Sequence, residues 1–264
     1  MARLKRKPVT LRAVYANRGV EAWYRKQLQS AITDMARSML VHIRAAYNNS
    51  DNPLATDAPN STYLLRKALE KWGGMWTRKL NKMSLDLADQ FAKRAGKVTE
   101  QQVGQAFREA GFTVKFRPTQ ASVAAYKTIA AQQVGLIRSI PQQYLTAVQT
   151  RVFDSVMKGA DMATLAAELQ QAYGVSFRRA ALIARDQNNK AKAVIENTRR
   201  QELGITEAIW QHSGAGKEPR PEHVAFNGKR YDLAKGAYLE GKWTLPGMEI
   251  NCRCTSRAII PGFD

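Results

Sequence analysis

The amino-acid sequence predicts a mainly α fold, with an elongated helical N-terminal body and a small, turn-rich α+β module at the C-terminus. Two observations lead to this prediction. Before Gly204, apolar residues recur at three- and four-residue steps over long stretches, which is the period of amphipathic helices. After Gly204, glycine and proline interrupt the chain every few residues, which favours short strands and tight turns.

The first 18 residues are strongly basic and contain no acid. We expect this segment to be a basic arm that a partner orders, with nucleic-acid contacts made by its cations, Arg3, Lys5, Arg6, Lys7, Arg12 and Arg18. No apolar segment of the kind found in secretory signals follows the arm. No apolar run in the chain reaches the about 20 residues that a membrane-spanning helix needs, so no membrane partner is expected.

Residues 19–140 form the predicted helical body. Its helices are expected at about residues 21–47, 61–97, 99–111 and 119–140. Gly73-Gly74 marks a weak point where the second helix kinks or ends, and Thr99 suits the N-cap of the third. The alternating segment 112–116 predicts a short strand or an extended link.

Residues 141–264 form the predicted C-terminal domain, with helices up to residue 203 and a strand and turn module over 204–264. The helices are expected at about residues 141–158, 161–173 and 176–203, followed by a strand at 205–210. Pro141 suits a first helical turn, while Asp161 and Ser176 suit N-caps. Gly174 and Gly204 are the expected stops.

The net charge of +19, with a pI of about 10.2, favours an anionic partner such as nucleic acid. The charge is unevenly distributed along the chain. From Gly204 onward there are 8 Lys and Arg against 7 Asp and Glu, which leaves 33 against 15 for residues 1–203. We therefore expect the helical body to make the polyanion contact. The alternative is that these cations only cover solvated helix faces.

Both cysteines and two of the three histidines lie in the C-terminal module. In an extended segment, Cys252 and Cys254 project to the same side. With His212 and His223 they would complete a tetrahedral set of two sulfur and two nitrogen ligands, which is typical of structural zinc. The alternative is ordinary packing of buried thiols and hydrogen-bonded histidines. Two cysteines this close give no disulfide framework, and they favour a reducing, intracellular origin.

Five further polar residues predict a structural cluster around the same module. Arg220, Asn251 and Arg253 are expected to anchor backbone turns or to contact Asp186 on the preceding helix, next to Arg185. A buried arginine–aspartate pair would hold that helix to the module. The alternative is solvent-exposed charge that contributes little to stability.

Residues from about 140 to 260 resemble the phage Mu F-like head morphogenesis (minor head protein) family. The resemblance rests on the segments Gly159-Ala160-Asp161, Leu165 with Leu169, Gly174-Val175-Ser176, Ala180, Ala184-Arg185-Asp186, Gly204, Trp210, Arg220-Pro221-Glu222-His223, Asn227-Gly228, Pro246 and Asn251-Cys252-Arg253-Cys254. Asp186-Gln187 stands where family members often have a threonine–glutamate pair. Ser213-Gly214-Ala215-Gly216 stands where many carry an acid, so the roles of relatives at these two places do not transfer.

The resemblance implies a structural component of a tailed-phage or prophage virion rather than an enzyme. Such proteins are present in few copies and associate with the portal protein inside the procapsid, in the host cytoplasm during assembly. The major capsid protein or the scaffold is a further partner class. The positive charge adds an expected contact with packaged DNA that is independent of base sequence.

Two other functions remain as alternatives from the residues alone. A metal-dependent DNA nuclease would use the histidines of the C-terminal module, but no acid there forms an obvious catalytic pair with His223. A plain DNA-binding protein of cellular origin would rely on the basic arm, and no recognition-helix signature favours it.

Overall fold

The structure is a computed structural model that describes residues 9–48, 59–158, 162–214 and 218–261. Its elements are α1 (Arg18–Asn48), α2 (Pro59–Glu109), α3 (Gln120–Met157), α4 (Met162–Glu202), β1 (Glu207–Gln211), α5 (Pro221–Ala225), β2 (Arg230–Asp232), β3 (Ala237–Leu239), β4 (Lys242–Thr244) and β5 (Thr255–Ala258). Four long helices followed by short antiparallel strands confirm the predicted mainly α class with a small α+β C-terminal part.

The chain divides into two compact units that cut across the expected boundaries at residues 18 and 140. The first, which we call the sheet unit, combines Met1–Ala22, Asp89–Ala130 and Arg185–Asp264. The second, which we call the helical unit, combines Trp23–Ala88 and Ala131–Ala184. Each long helix contributes residues to both units, so no division into consecutive segments reproduces them.

The helical unit has an apolar core built from all four long helices. Its buried members are Met35, Met39, Ile43, Leu65, Leu69, Trp72, Trp76, Leu80, Tyr144, Val148, Val152, Leu165, Leu169 and Ala172. Trp72 meets Tyr144 edge to face, with 6.2 Å between the ring centroids. These residues recur at helical spacing because each helix buries one stripe.

The expected break at Gly73-Gly74 is a site of close packing instead. A Cβ on Gly73 would lie 2.6 Å from Leu145 Cδ2, so the glycine lets the two helices approach each other within the helical unit. The separate helix expected from Thr99 is also wrong. Thr99 is buried inside α2, which continues to Glu109, because the buried apolar face runs through it.

Two further predicted helix boundaries are wrong for the same physical reason. Pro141 lies inside α3, where the buried face formed by Ile137, Ile140 and Tyr144 continues past it. Gly174 lies inside α4 and Ser176 does not begin a helix. A glycine in a helix interior costs only about 1 kcal/mol, which burial of the surrounding apolar face outweighs. Asp161 lies outside the described residues.

The sheet unit contains a three-stranded antiparallel sheet in the order β2-β1-β5 and a separate β3–β4 hairpin. Strand β1 confirms the strand predicted at 205–210, displaced by one or two residues. The core of the sheet unit includes Val103, Phe107, Trp210, Tyr231 and Ala258. The sheet is short, and much of the unit's apolar surface is covered by the end of α2.

Residues 9–17, the later part of the predicted arm, are packed against this sheet. Thr10 forms an antiparallel bridge with Ile259, and the backbone N–H of Leu11 donates to Ala258 O at 2.9 Å. Leu11 and Val14 are both buried. The prediction of an arm ordered only by a partner is therefore wrong for residues 9–17, where burial of two apolar side chains fixes the segment. Residues 1–8 lie outside the described part of the chain.

The segment after α2 is an extended link rather than a strand. Gly111 adopts a φ of +88°, which ends the helix, and the backbone N–H of Phe112 donates to Phe107 O at 2.9 Å. Phe112, Val114 and Phe116 then pack partly buried against the sheet-unit core. Alternation of apolar residues thus produces burial here without strand pairing.

Among the described residues, no helix combines the length and the apolar character that crossing a membrane requires.

A candidate metal centre in the sheet unit

Three of the four predicted metal ligands meet at one buried point. His223 lies on the short helix α5, which begins at Pro221, while Cys252 and Cys254 flank an exposed Arg253 just before β5. The imidazole and both thiols are each at most 4% exposed. Their nitrogen and sulfur ligand atoms all lie within 4.8 Å of one another.

One ring nitrogen of His223 faces both sulfur atoms. Its Nδ1 lies 3.6 Å from Cys252 Sγ and 3.8 Å from Cys254 Sγ. The imidazole is held edge to face against the fully buried Trp210, with 5.2 Å between the ring centroids. The alternation of side chains across an extended segment places both sulfurs on the side of the histidine, as the spacing of the cysteines predicts.

The two neighbouring thiols shift the pKa of each other in opposite directions. The hydrogen bond from the Cys254 thiol lowers the pKa of Cys252, to about 5, although burial opposes the shift. The same interaction with Cys252, together with burial, raises the pKa of Cys254 well above its ordinary value. Backbone N–H groups of Cys254 and Gly247 also donate to the Cys252 sulfur and lower its pKa. The site therefore favours one thiolate, and metal binding would release the second proton.

The fourth predicted ligand, His212, does not join this cluster. Its Nδ1 accepts the backbone N–H of Gly214 at 3.1 Å, and its own backbone N–H donates to Asn227 Oδ1 at 2.9 Å. His212 instead lines a cavity of about 500 Å³ that also reaches the cluster. Other residues lining that cavity are Arg185, Glu218, Arg220, His223, Cys252 and Arg253. The structure therefore does not assemble the four-residue set expected from the sequence.

Of the five residues of the predicted polar cluster, Asp186 and Asn251 contact each other, through a backbone group of Asn251. Asp186 Oδ1 accepts the backbone N–H of Asn251 at 2.8 Å, and its other oxygen lies 2.8 Å from Lys190 Nζ and accepts from Gln187 at 3.0 Å. Asn251 has a φ of +60°, a left-handed conformation that the hydrogen bond to Asp186 stabilises. Asp186 thus fixes the turn that precedes the two cysteines.

The expected arginine–aspartate pair is not formed. Arg220 lies 3.3 Å from Glu240 and donates to Ile250 O at 3.1 Å, so it contacts the turn before the cysteines and not Asp186. Arg253 is exposed. Arg185 carries a buried Nε without a hydrogen-bond partner among the described residues. Asp186 is instead paired within its own helix, since Lys190 lies four residues further on.

A second polar group was not predicted from the sequence. Lys192, Glu196 and Arg200 are buried along one face of α4. Lys192 Nζ lies 3.1 Å from both Glu196 Oε2 and Thr255 Oγ1, while Arg200 pairs with Glu196 at 2.5 Å and donates to Ser256 Oγ at 2.8 Å. Spacing of four residues puts these charges on one face. The same spacing is common on solvated helices, so it does not indicate burial.

The described basic residues of the arm lie singly, whereas four basic residues of α2 share one exposed face. Arg12 pairs with Glu109 at 2.5 Å, Arg18 is exposed at the start of α1, and Arg3, Lys5, Arg6 and Lys7 lie outside the described residues. On α2, four exposed cations share one face at steps of four, seven and four residues, namely Lys67, Lys71, Arg78 and Lys82. We call this set the α2 basic stripe. The helical spacing of these four cations is visible in the sequence, but they are not among the predicted nucleic-acid contacts.

Comparison with known proteins connects this region to a family. The family model described as "Phage Mu protein F like protein" matches residues 146–257, which include α4, α5 and all three clustered ligands. This match confirms the resemblance drawn from the motifs.

One relative covers almost the whole chain. An uncharacterized protein of Haemophilus influenzae is 26% identical to it, over 97% of this chain and 56% of the relative. The chain therefore spans just over half the length of that relative. No solved structure matches the chain.

Proposed function

We propose that this chain is a phage minor head protein that associates with the portal inside the procapsid and becomes part of the virion. The observation that carries the proposal is the family match over residues 146–257, together with the motifs in the same region. The family is one of head morphogenesis proteins, which supports a structural rather than an enzymatic role. The major capsid protein or the scaffold is a second partner class in this proposal.

Quantitative mass spectrometry of purified phage particles and empty precursors tests this assignment. We expect a few copies per particle, in a constant ratio to the portal protein and far below the major capsid protein. Absence from particles and precursors alike would contradict the proposal. Presence in precursors alone would contradict its placement in the virion and indicate an assembly factor.

We further propose that the chain contacts DNA through the α2 basic stripe. Its four side chains lie on 16 residues of helix, a length of about 22 Å. They form no ion pair with any described residue. Lys67 also lies 4.8 Å from the ring centroid of Tyr63, a contact that leaves its charge available. Contacts between such cations and phosphates release counterions and carry no base preference.

The salt dependence of binding to a mixed-sequence duplex measures this contact. Replacing Lys71, Arg78 and Lys82 together with Gln removes three phosphate contacts, so the slope of log K against log salt should become shallower by about 2 to 3. A matched variant, with Lys229, Lys235 and Arg257 replaced by Gln, loses the same charge from the C-terminal module and should keep the wild-type slope. Equal losses in both variants would indicate a net-charge effect and contradict the assignment to α2.

A further inference from the structure

We propose that His223, Cys252 and Cys254 bind one zinc ion as its only protein ligands, and that the fourth coordination position takes a small anion from the adjoining cavity. This inference concerns the sheet unit alone and does not depend on the head-protein assignment. It replaces the closed set of four protein ligands that the sequence predicts with an open site.

The distances between the donor atoms match those of a tetrahedral zinc site. With Zn–S bonds of about 2.3 Å and Zn–N bonds of about 2.05 Å at tetrahedral angles, a sulfur and a nitrogen ligand lie about 3.6 Å apart. The observed separations of His223 Nδ1 from Cys252 Sγ and Cys254 Sγ are 3.6 and 3.8 Å. Both nitrogen–sulfur separations therefore already match those between two vertices of a coordination tetrahedron, and the two sulfurs lie within 4.8 Å of each other.

The donor atoms, and the backbone N–H groups around them, suit zinc. Two thiolates neutralise a divalent ion, and the combination of sulfur and imidazole ligands suits zinc better than magnesium or calcium. The backbone N–H groups of Cys254 and Gly247 point at the Cys252 sulfur, and that of Ser213 at the Cys254 sulfur. Such donors orient and stabilise ligating thiolates. Asp186 holds the turn that carries the sulfurs through Asn251.

The cavity wall indicates what occupies the fourth coordination position of the ion. His212 and Glu218 line the cavity, but neither belongs to the group of clustered donor atoms among the described residues. The cavity also has Arg185, Arg220 and Arg253 in its wall, against one acid, Glu218, among the described residues that line it. Three guanidinium groups in the wall of a cavity that reaches the three donors favour an anionic ligand there.

Metal analysis of the full chain, purified under reducing conditions, tests the three-ligand assignment. We expect one zinc ion per chain in the wild type, loss of zinc in His223→Ala and Cys252→Ser, and retention in His212→Ala. His42→Ala is the matched control, because His42 lies on α1 and binds Ser38 O through its ring. Circular dichroism of each variant separates loss of the metal from loss of the fold.

Cobalt substitution of the wild type provides a test that needs no variant. Co²⁺ at the site should give thiolate charge-transfer bands and the intense visible bands of a tetrahedral centre. Adding thiocyanate should shift the visible bands, because the anion enters the fourth position. Arg185→Gln should weaken thiocyanate binding about tenfold, which corresponds to the loss of one charge-assisted hydrogen bond.

Three outcomes would overturn the proposal. The wild type could bind neither zinc nor cobalt, which would leave a buried, hydrogen-bonded thiol cluster. His212→Ala could lose zinc or alter the cobalt spectrum, which would restore the closed site of four protein ligands. Thiocyanate could leave the visible bands unchanged, which would show that no exchangeable position faces the cavity.

Discussion

The helical unit and the sheet unit bury different kinds of side chain. The helical unit closes around apolar and aromatic residues such as Trp72, Met39 and Val148. The sheet unit adds ionised groups to its interior, where Lys192 and Arg200 share the carboxylate of Glu196. The first arrangement depends on the amount of apolar surface removed from water, and the second on ion pairs and hydrogen bonds between the buried charges and their neighbours.

Because the sheet unit buries some of its cations, the net charge of the chain is not all present at its surface. Cations of α4, including Lys192, Arg199 and Arg200, are buried and paired, so they stabilise the sheet unit and are not available to a polyanion. Cations of the α2 basic stripe are exposed. Net charge by itself therefore overstates the basic surface, and only burial separates structural cations from those that can bind phosphate.

The largest expected effect comes from breaking the buried charge group. Replacing Glu196 with Ala leaves Lys192 and Arg200 without their carboxylate and should lower the free energy of unfolding by about 3–5 kcal/mol. Asp89→Ala is the matched control, since Asp89 pairs with Lys93 at the same four-residue spacing but in solvent, and should cost less than about 1 kcal/mol. Urea unfolding followed by circular dichroism measures both. Equal costs would contradict the view that the buried charge group holds the interior of the sheet unit together.

A smaller effect is expected from trimming the apolar core of the helical unit. Ile43 is fully buried, so Ile43→Val should cost about 0.5–1.5 kcal/mol. Val41 is 63% exposed on the same helix, and Val41→Ala should change stability by less than about 0.5 kcal/mol. Urea unfolding at two salt concentrations should show that the cost at Ile43 does not depend on salt. A marked salt dependence would mean that charge also holds this core.

Replacing Arg12 tests whether a cation that is paired with an acid contributes to DNA binding as the cations of the α2 basic stripe do. Its ion pair with Glu109 is solvent-exposed, so Arg12→Gln should lower the free energy of unfolding by only about 0.2–1 kcal/mol. We expect the salt slope of DNA binding to stay at the wild-type value. A slope shallower by about 1 would restore the contact that the sequence predicts for Arg12.

The smallest effect is a pH dependence in an exposed turn of the sheet unit. Asp232 accepts the backbone N–H groups of Lys235 and Ala234, and these hydrogen bonds lower its pKa. Because the folded pKa lies below the unfolded value, the stabilisation is present at neutral pH and is lost as pH falls through the folded pKa. Asp232→Asn keeps an acceptor oxygen and should reduce the loss of stability between neutral pH and about pH 3. An unchanged acid sensitivity in thermal unfolding would contradict this role.

Some of the fold and of the candidate site was predictable from the sequence. Apolar spacing identified helix α1 to within a few residues, and the spacing of Cys252 and Cys254 predicted that both sulfurs face one side. The boundaries expected at Thr99, Pro141 and Gly174 were wrong, because a local helix signal is worth only about 1 kcal/mol for a cap or a glycine and about 3 kcal/mol for a proline. Burial of a continuous apolar face is worth several times more.

The sequence by itself determined the fold class, the period of the buried stripes and the set of donor residues in the C-terminal module, since these follow from residue type and local spacing. Only the tertiary structure decided which donors meet. His223 and the two cysteines come from segments almost thirty residues apart, and their separation depends on α5, Trp210 and the turn held by Asp186. The same holds for charge, because whether a lysine faces water or Glu196 depends on what packs over it, and helical spacing is identical in both cases.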